Sequence, residues 1–309
     1  MTELDVARHS HLVDPQLHVW GWEIPAYLFL GGMAAGVMVL ASRLLDRPGE
    51  RSRALRWLPF AAPLLVSAGM AALFLDLEHK LFVWRFYLAF RWTSPMSWGA
   101  WILLLVYPVS LLVALTALDD EQAGWLADQS GPLGRAVRAA RGWALPRAFA
   151  LRRANVAVGI GLGLYTGILL STLGARALWS SALLGPLFLV SGLSTGAALL
   201  LLFPLEAEER HLLARWDLLA IGAELVLLLL FLVGLASGGA AAHAAAGLLL
   251  GGRFGAAFWG LVVVAGLAVP ALLELLEARR LLRPTAVAPA LVLAGGLALR
   301  WIVVTAGQL

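Results

Sequence analysis

Cysteine is absent from all 309 residues, which excludes disulfides and any iron–sulfur or metal site held by thiolates. Charge is scarce too. Only 14% of the residues are charged, against about a quarter in soluble domains, and 61% are hydrophobic. Histidine is sparse, and none of His9, His11, His18, His79, His211 and His243 falls in the middle of an apolar run, so a pair of axial haem ligands is not expected. No basic stretch precedes the first apolar run, where Glu3 and Asp5 stand instead. That run is therefore expected to remain as a span rather than to be removed as a signal peptide. No metal site is expected.

What is there is length of apolar sequence. About 20 apolar residues cross a hydrocarbon core, and eight stretches qualify: Ile24 to Leu45, Trp57 to Leu75, Met96 to Leu118, Ala154 to Ala175, Ala177 to Leu205, Leu218 to about Ala241, Phe254 to Leu273, and Ala286 to Val304. The runs are continuous rather than alternating, so they read as helices that satisfy their own backbone groups in lipid. The expected fold is an all-α integral membrane protein with eight transmembrane helices. The long loop from Asp119 to Arg153 is expected to hold at most a short amphipathic helix.

Sixteen arginines lie in the loops after spans 1, 3, 5 and 7, whereas the opposite side holds six cations: Arg8, Lys80, Arg85, Arg91, Arg176 and Arg253. Cations are retained on the cytoplasmic side, so both termini should face outward, across a bacterial inner membrane. The high sequence pI follows from this asymmetry and from anionic lipid, not from nucleic-acid binding. Phe29-Leu30-Gly31-Gly32 with Gly36 in span 1 echoes Leu189-Val190-Ser191-Gly192 with Gly196 in span 5. The echo divides the protein into halves, 1–176 and 177–309, and its Gly-xxx-Gly pairs suit close helix packing.

Ionisable groups at membrane depth are costly and point to function. Most collect at the outer face. The amino-terminal segment supplies His18, Trp20, Trp22, Glu23 and Tyr27, and the loop before span 3 supplies Asp76, Glu78, His79, Lys80, Arg85, Trp92 and Thr93; span 4 adds Tyr165. Singly, each is an ordinary interfacial residue. Together they offer donors, a proton route and flat apolar walls, which is what a quinone site requires. Ser94 and Pro95 read as the cap and first residue of span 3. On the inner half, Glu224 lies within the hydrocarbon and reads equally as a proton relay or as a protonated, hydrogen-bonded structural group. Glu274 reads as interfacial.

Through Trp22, Tyr27-Leu28-Phe29-Leu30-Gly31-Gly32, Thr93-Ser94-Pro95-Met96-Ser97-Trp98-Gly99 and Tyr165-Thr166-Gly167, the sequence resembles the NrfD/PsrC family of membrane subunits, typified by the polysulfide reductase anchor. The resemblance implies two four-helix bundles that bind a quinone, menaquinone or ubiquinone, near the periplasmic face. It also implies a ferredoxin-like iron–sulfur subunit beside them and a molybdopterin catalytic subunit, with clusters and molybdopterin on those partners only. Tyr165 aligns with a family tyrosine that contacts the quinone. Tyr27 stands where the anchor has a histidine, and Ile24 where it has an asparagine, so Glu23 or His18 would replace the missing polar contact. Combining the residues read above with the resemblance, the expected quinone site is Tyr27, Glu23, Tyr165, His18 and Trp22, with Asp76, His79 and Glu224 moving protons and Arg85, Trp92, Ser94 and Trp98 facing the partner. Two other readings are a proton-coupled secondary transporter and a passive membrane anchor. The terminal substrate binds another polypeptide, which leaves polysulfide, tetrathionate, nitrite, sulfite and formate systems open.

Overall fold

A computed structural model describes residues 20–309 apart from 78–79, 83, 89 and 173–175. Its membrane-length helices are α1 Glu23–Leu45, α2 Arg53–Asp76, α3 Pro95–Ala117, α4 Ala148–Ser171, α5 Leu184–Leu201, α6 Ala207–Ala236, α7 Gly255–Ala278 and α8 Val287–Ala306. No strand occurs among the described residues. The protein is a multi-pass helical membrane protein.

Most boundaries fall within a few residues of those expected from hydropathy, and the exceptions have local causes. α6 starts eleven residues before Leu218, inside the charged loop, because Glu206 and Glu209 form a capping box there. Glu209 also accepts the Ser52 backbone N–H at 3.0 Å, tying this loop to the start of α2. α5 starts only at Leu184, since the preceding residues turn so that Trp179 Nε1 can donate to the Val303 carbonyl at 2.8 Å. A short apolar helix, Ala240–Leu250, was not anticipated. The loop between α3 and α4 folds into two short helices, Asp120–Gln129 and Gly134–Ala144, the second carrying Arg135, Arg138 and Arg141.

Both ends of the described residues meet on one face. Trp20 N–H donates to Gln308 Oε1 at 3.0 Å, Gln308 Nε2 donates back to the Trp20 carbonyl at 3.1 Å, and Trp20 stacks on Trp179 at 5.1 Å. The arginine-rich loops lie at the opposite ends of the helices. There Arg152 pairs with Asp46 and Arg56 with Asp119.

α1 is the central helix, packed by α2, α4, α5 and α8. Its contact with α5 explains the repeated glycine motif, because the two echoing segments pack on each other. A Cβ on Gly36 would lie 2.1 Å from the Gly192 carbonyl oxygen, and one on Gly196 would lie 2.6 Å from Gly36. Only hydrogen fits between the backbones. Gly36→Ala is therefore expected to force α1 and α5 apart at about 1–3 kcal/mol. A melting curve of the purified protein reads this directly, and an unshifted midpoint would mean that the crossing has slack.

By contrast, α2 and α3 touch mostly near the arginine-rich face, through the Arg53–Phe60 stretch, and are less closely packed toward the terminal face. Between them and α1 and α4 lies the site described next.

Candidate functional site

A cavity of about 620 Å³ opens beside α1 in the half of the bundle nearer the terminal face, within the range of about 300–1,000 Å³ usual for ligand pockets. The protein has four tyrosines, and all of them, Tyr27, Tyr87, Tyr107 and Tyr165, line this one space. They arrive from four different elements: α1, the short helix Arg85–Leu88, α3 and α4. Met70, Phe74, Leu103 and Leu169 supply flat apolar wall, while Trp20 and Asp76 stand toward the terminal face.

Tyr27 and Tyr165 face each other across the cavity, close enough for their phenol groups to interact. Tyr165 is seated on Gly99, where an added Cβ would fall 1.8 Å from Tyr165 Cζ. Within the Thr93–Gly99 motif, Met96 thus lines the cavity itself and Gly99 shapes it by seating Tyr165. Tyr87 faces the same space, near enough to Tyr27, Tyr165 and Tyr107 for their phenols to influence one another. Burial, then the neighbouring Tyr107 phenol, pushes the Tyr87 phenol above its ordinary value, so it stays protonated and able to donate at neutral pH. Farther along α2 from the terminal face, at an exposed position, the Ser67 and Tyr107 hydroxyls meet at 3.0 Å, joining α2 to α3.

The family model described as "Polysulphide reductase, NrfD" matches residues 10–309. The protein belongs to this NrfD family. It is 32% identical to the C subunit of polysulfide reductase from Wolinella succinogenes over 305 residues, 94% of each sequence. Protein NrfD of Escherichia coli is 32% identical over 304 residues, 94% of this sequence and 95% of that one. An NrfD homolog of Haemophilus influenzae is 27% identical over 263 residues, 82% of each.

Among the expected site residues, the structure brings Tyr27, Tyr165 and Asp76 to the cavity. Glu23 lies at the first turn of α1, close enough to Asp76 for their charges to interact, but it is not part of the lining. Trp22 is 52% exposed and points away; Trp20 takes the place expected of it against the cavity. His18 and His79 lie outside the described residues, as does the Arg85 side chain. Trp92 and Trp98 are exposed and form an edge-to-face cluster with Phe90 and Trp101 at the terminal end of α3. Ser94 does precede the helix, but its side chain makes no cap hydrogen bond, and its carbonyl instead accepts the Trp98 N–H at 3.2 Å.

Tyr87, Tyr107 and Ser67 were not expected at the cavity, since a neutral hydroxyl in or beside a span costs little and stands out less than a charge. The available signal was Tyr107 itself, well inside span 3, since a tyrosine at that depth needs a partner for its O–H.

A second polar group lies on the far side of α1, within α5 to α8. Glu224 is 2% exposed and lies beside Ser191 and Arg300, and the Ser191 Oγ accepts from Arg300 Nη1 at 3.0 Å. Arg300 is fully buried and also donates to the Leu28 carbonyl, next to the cavity wall, at 3.2 Å. Toward the arginine-rich face, Ser194 Oγ donates to Asp217 at 2.5 Å, and Glu274 lies beside Asp217. Glu274, near the end of α7, is buried where α6 packs over it. Asp217 Oδ2 and both Glu274 oxygens have no donor partner. Two such acceptors are reconciled by a proton held between them.

Proposed function

We propose that this protein is the quinone-reactive membrane subunit of a respiratory oxidoreductase, passing electrons between the quinone pool and an iron–sulfur partner at the periplasmic face. The observation that carries the reading is the convergence of all four tyrosines on one cavity between loosely joined helices. A quinone has two carbonyl oxygens and a flat ring, and when bound it exchanges two electrons and two protons with its surroundings. Hydroxyl donors above an apolar slot fit that group. Charged residues would hold it less well, because their own desolvation would oppose entry from lipid.

In this reading the Tyr27–Tyr165 pair, held in place by Gly99, orients one oxygen of the ring. Asp76, with Glu23 near it, takes or gives protons at the terminal face, joined by His18 or His79. The exposed Phe90, Trp92, Trp98 and Trp101 cluster, with Arg85, receives the iron–sulfur subunit, behind which a molybdopterin subunit is expected. The naming of one relative as the C subunit of a polysulfide reductase supports a place in such a complex. The halves 1–176 and 177–309 are taken as two four-helix bundles joined along α1 and α5. Glu224, Asp217 and Glu274, linked toward the cavity through Ser191 and Arg300, are assigned to proton transfer from the arginine-rich side. The transporter reading is disfavoured, since the first half has no matching charged cluster at that depth among the described residues.

The test is to purify the complex by a tag on this subunit, identify co-purifying subunits by mass spectrometry and extract bound quinone. A cysteine-rich partner together with quinone is expected. Tyr165→Phe should then lower quinol-linked turnover roughly 10-fold or more, the scale of one lost functional hydrogen bond. A lone polypeptide without quinone, or unchanged turnover in both Tyr165→Phe and Glu23→Gln, would remove the assignment.

A further inference from the structure

The end of the cavity farther from the terminal face has a fixed hydrogen-bond polarity. Ser67 Oγ donates its single proton to the Pro63 carbonyl one turn back, at 2.8 Å. The 3.0 Å contact between Ser67 and Tyr107 can then be made only one way, with the Tyr107 O–H donating to Ser67 Oγ. That uses the only proton Tyr107 has. What Tyr107 still offers to the cavity it lines is an oxygen lone pair, an acceptor.

Its position suits contact with a ring held from the other end. Ser67 lies nine residues before Asp76 on α2, about 13 Å along the axis at 1.5 Å per residue. The Tyr107 side chain leans toward the start of α3, as helical side chains do, and hence back up the cavity toward Tyr87 and the Tyr27–Tyr165 pair. The two ends of the space therefore differ in kind. Near the terminal face there are phenol donors and Asp76; at the far end there is an acceptor whose donor has been taken.

We infer that Tyr107, oriented by Ser67, makes the site selective for the reduced ring, by accepting a hydrogen bond from the inner hydroxyl of a quinol. This rests on the quinone reading above and adds a redox preference to it. The carbonyl oxygen of an oxidised ring is itself only an acceptor, so facing Tyr107 it gains no bond and loses the water it had. A bound ring would accordingly be easier to reduce than one free in the membrane. Ser67 is a positioning residue here, because it acts through Tyr107.

The preference can be measured as binding, without turnover. A short-chain naphthoquinone, oxidised or chemically reduced under anaerobic conditions, is titrated into the intact complex in lipid nanodiscs while tryptophan fluorescence is followed. The unmodified protein should bind the reduced form more tightly. Tyr107→Phe should lower the ratio of reduced to oxidised affinity about 3- to 10-fold, the scale of one hydrogen bond. Ser67→Ala should lower the same ratio by a different route, through tighter binding of the oxidised form, because the Tyr107 O–H is released to donate to a carbonyl. Equal weakening of both forms by Tyr107→Phe, or no gain in oxidised-form affinity in Ser67→Ala, would overturn the inference while leaving the quinone reading intact. Binding of neither form by the unmodified protein would overturn both.

Discussion

Gly99→Val is expected to lower quinol-linked turnover of the assembled complex about 100-fold, the loss associated with a displacement of about 1 Å in a positioning group. The cause is local. A Cβ at residue 99 would occupy the Tyr165 ring, 1.8 Å from Cζ, 2.1 Å from the hydroxyl oxygen and 2.3 Å from Cε2. A rigid ring cannot bend out of the way, so it must rotate about its own Cα–Cβ bond and leave Tyr27. The walls of α3 and α4 elsewhere remain as they were, which makes Gly161→Ala a suitable control on the same helix pair. A Cβ there would find its nearest neighbour, Ile102 Cδ1, at 3.9 Å, an ordinary contact. Turnover should be unchanged in Gly161→Ala and nearly lost in Gly99→Val, with partner subunits still co-purifying in both. Full activity in Gly99→Val would detach Tyr165 from the reaction.

The contrast between these two glycines also shows where a sequence stops being legible. Hydropathy gave the eight helices because burial in lipid acts on each span separately, and length and composition suffice for that. The glycine echo between spans 1 and 5 suggested close packing, yet not that the two copies pack on each other. Three-dimensional neighbours are not written in a local pattern. Gly99 sat in the most specific motif of the sequence and read as part of a helix start or a partner surface; its role as the seat of Tyr165 needed the α3–α4 contact to be seen. Tyr107 and Ser67 are further examples. Tyr107 signals within its own span that its O–H needs a partner, but only the meeting of α2 with α3 shows that the partner is Ser67. Glu224 was recognised as buried because charge inside a helical run is rare and costly. Its connection to Arg300 through Ser191 was hidden, because those three residues stand on α6, α8 and α5.

That connection leads to the largest stability effect expected. Arg300 is 0% exposed and donates to Ser191 Oγ, Gly296, Leu28 and Phe188, spanning α8, α5 and α1. The Phe188 and Phe29 rings flank its guanidinium at 5.3 and 5.8 Å. Room for it comes from Gly32, where a Cβ would lie 2.7 Å from Nη2, so the second glycine of the span 1 motif is committed to this arginine. Removing one member of a buried charged network leaves the other without compensation, typically at about 3–5 kcal/mol. Arg300→Met is therefore expected to cost about that much, seen as a lower melting temperature and poor recovery from detergent. Arg300→Lys should recover only part, since a single ammonium cannot reach carbonyls on three helices as the planar fork does. The decisive comparison adds Glu224→Gln. If Arg300 compensates Glu224 through Ser191, the double variant should be more stable than the sum of the single effects predicts by roughly 1–3 kcal/mol. Strict additivity would reduce Arg300 to a structural clamp between α1, α5 and α8, and the proton route assigned to Glu224 would lose its link to the cavity wall at Leu28.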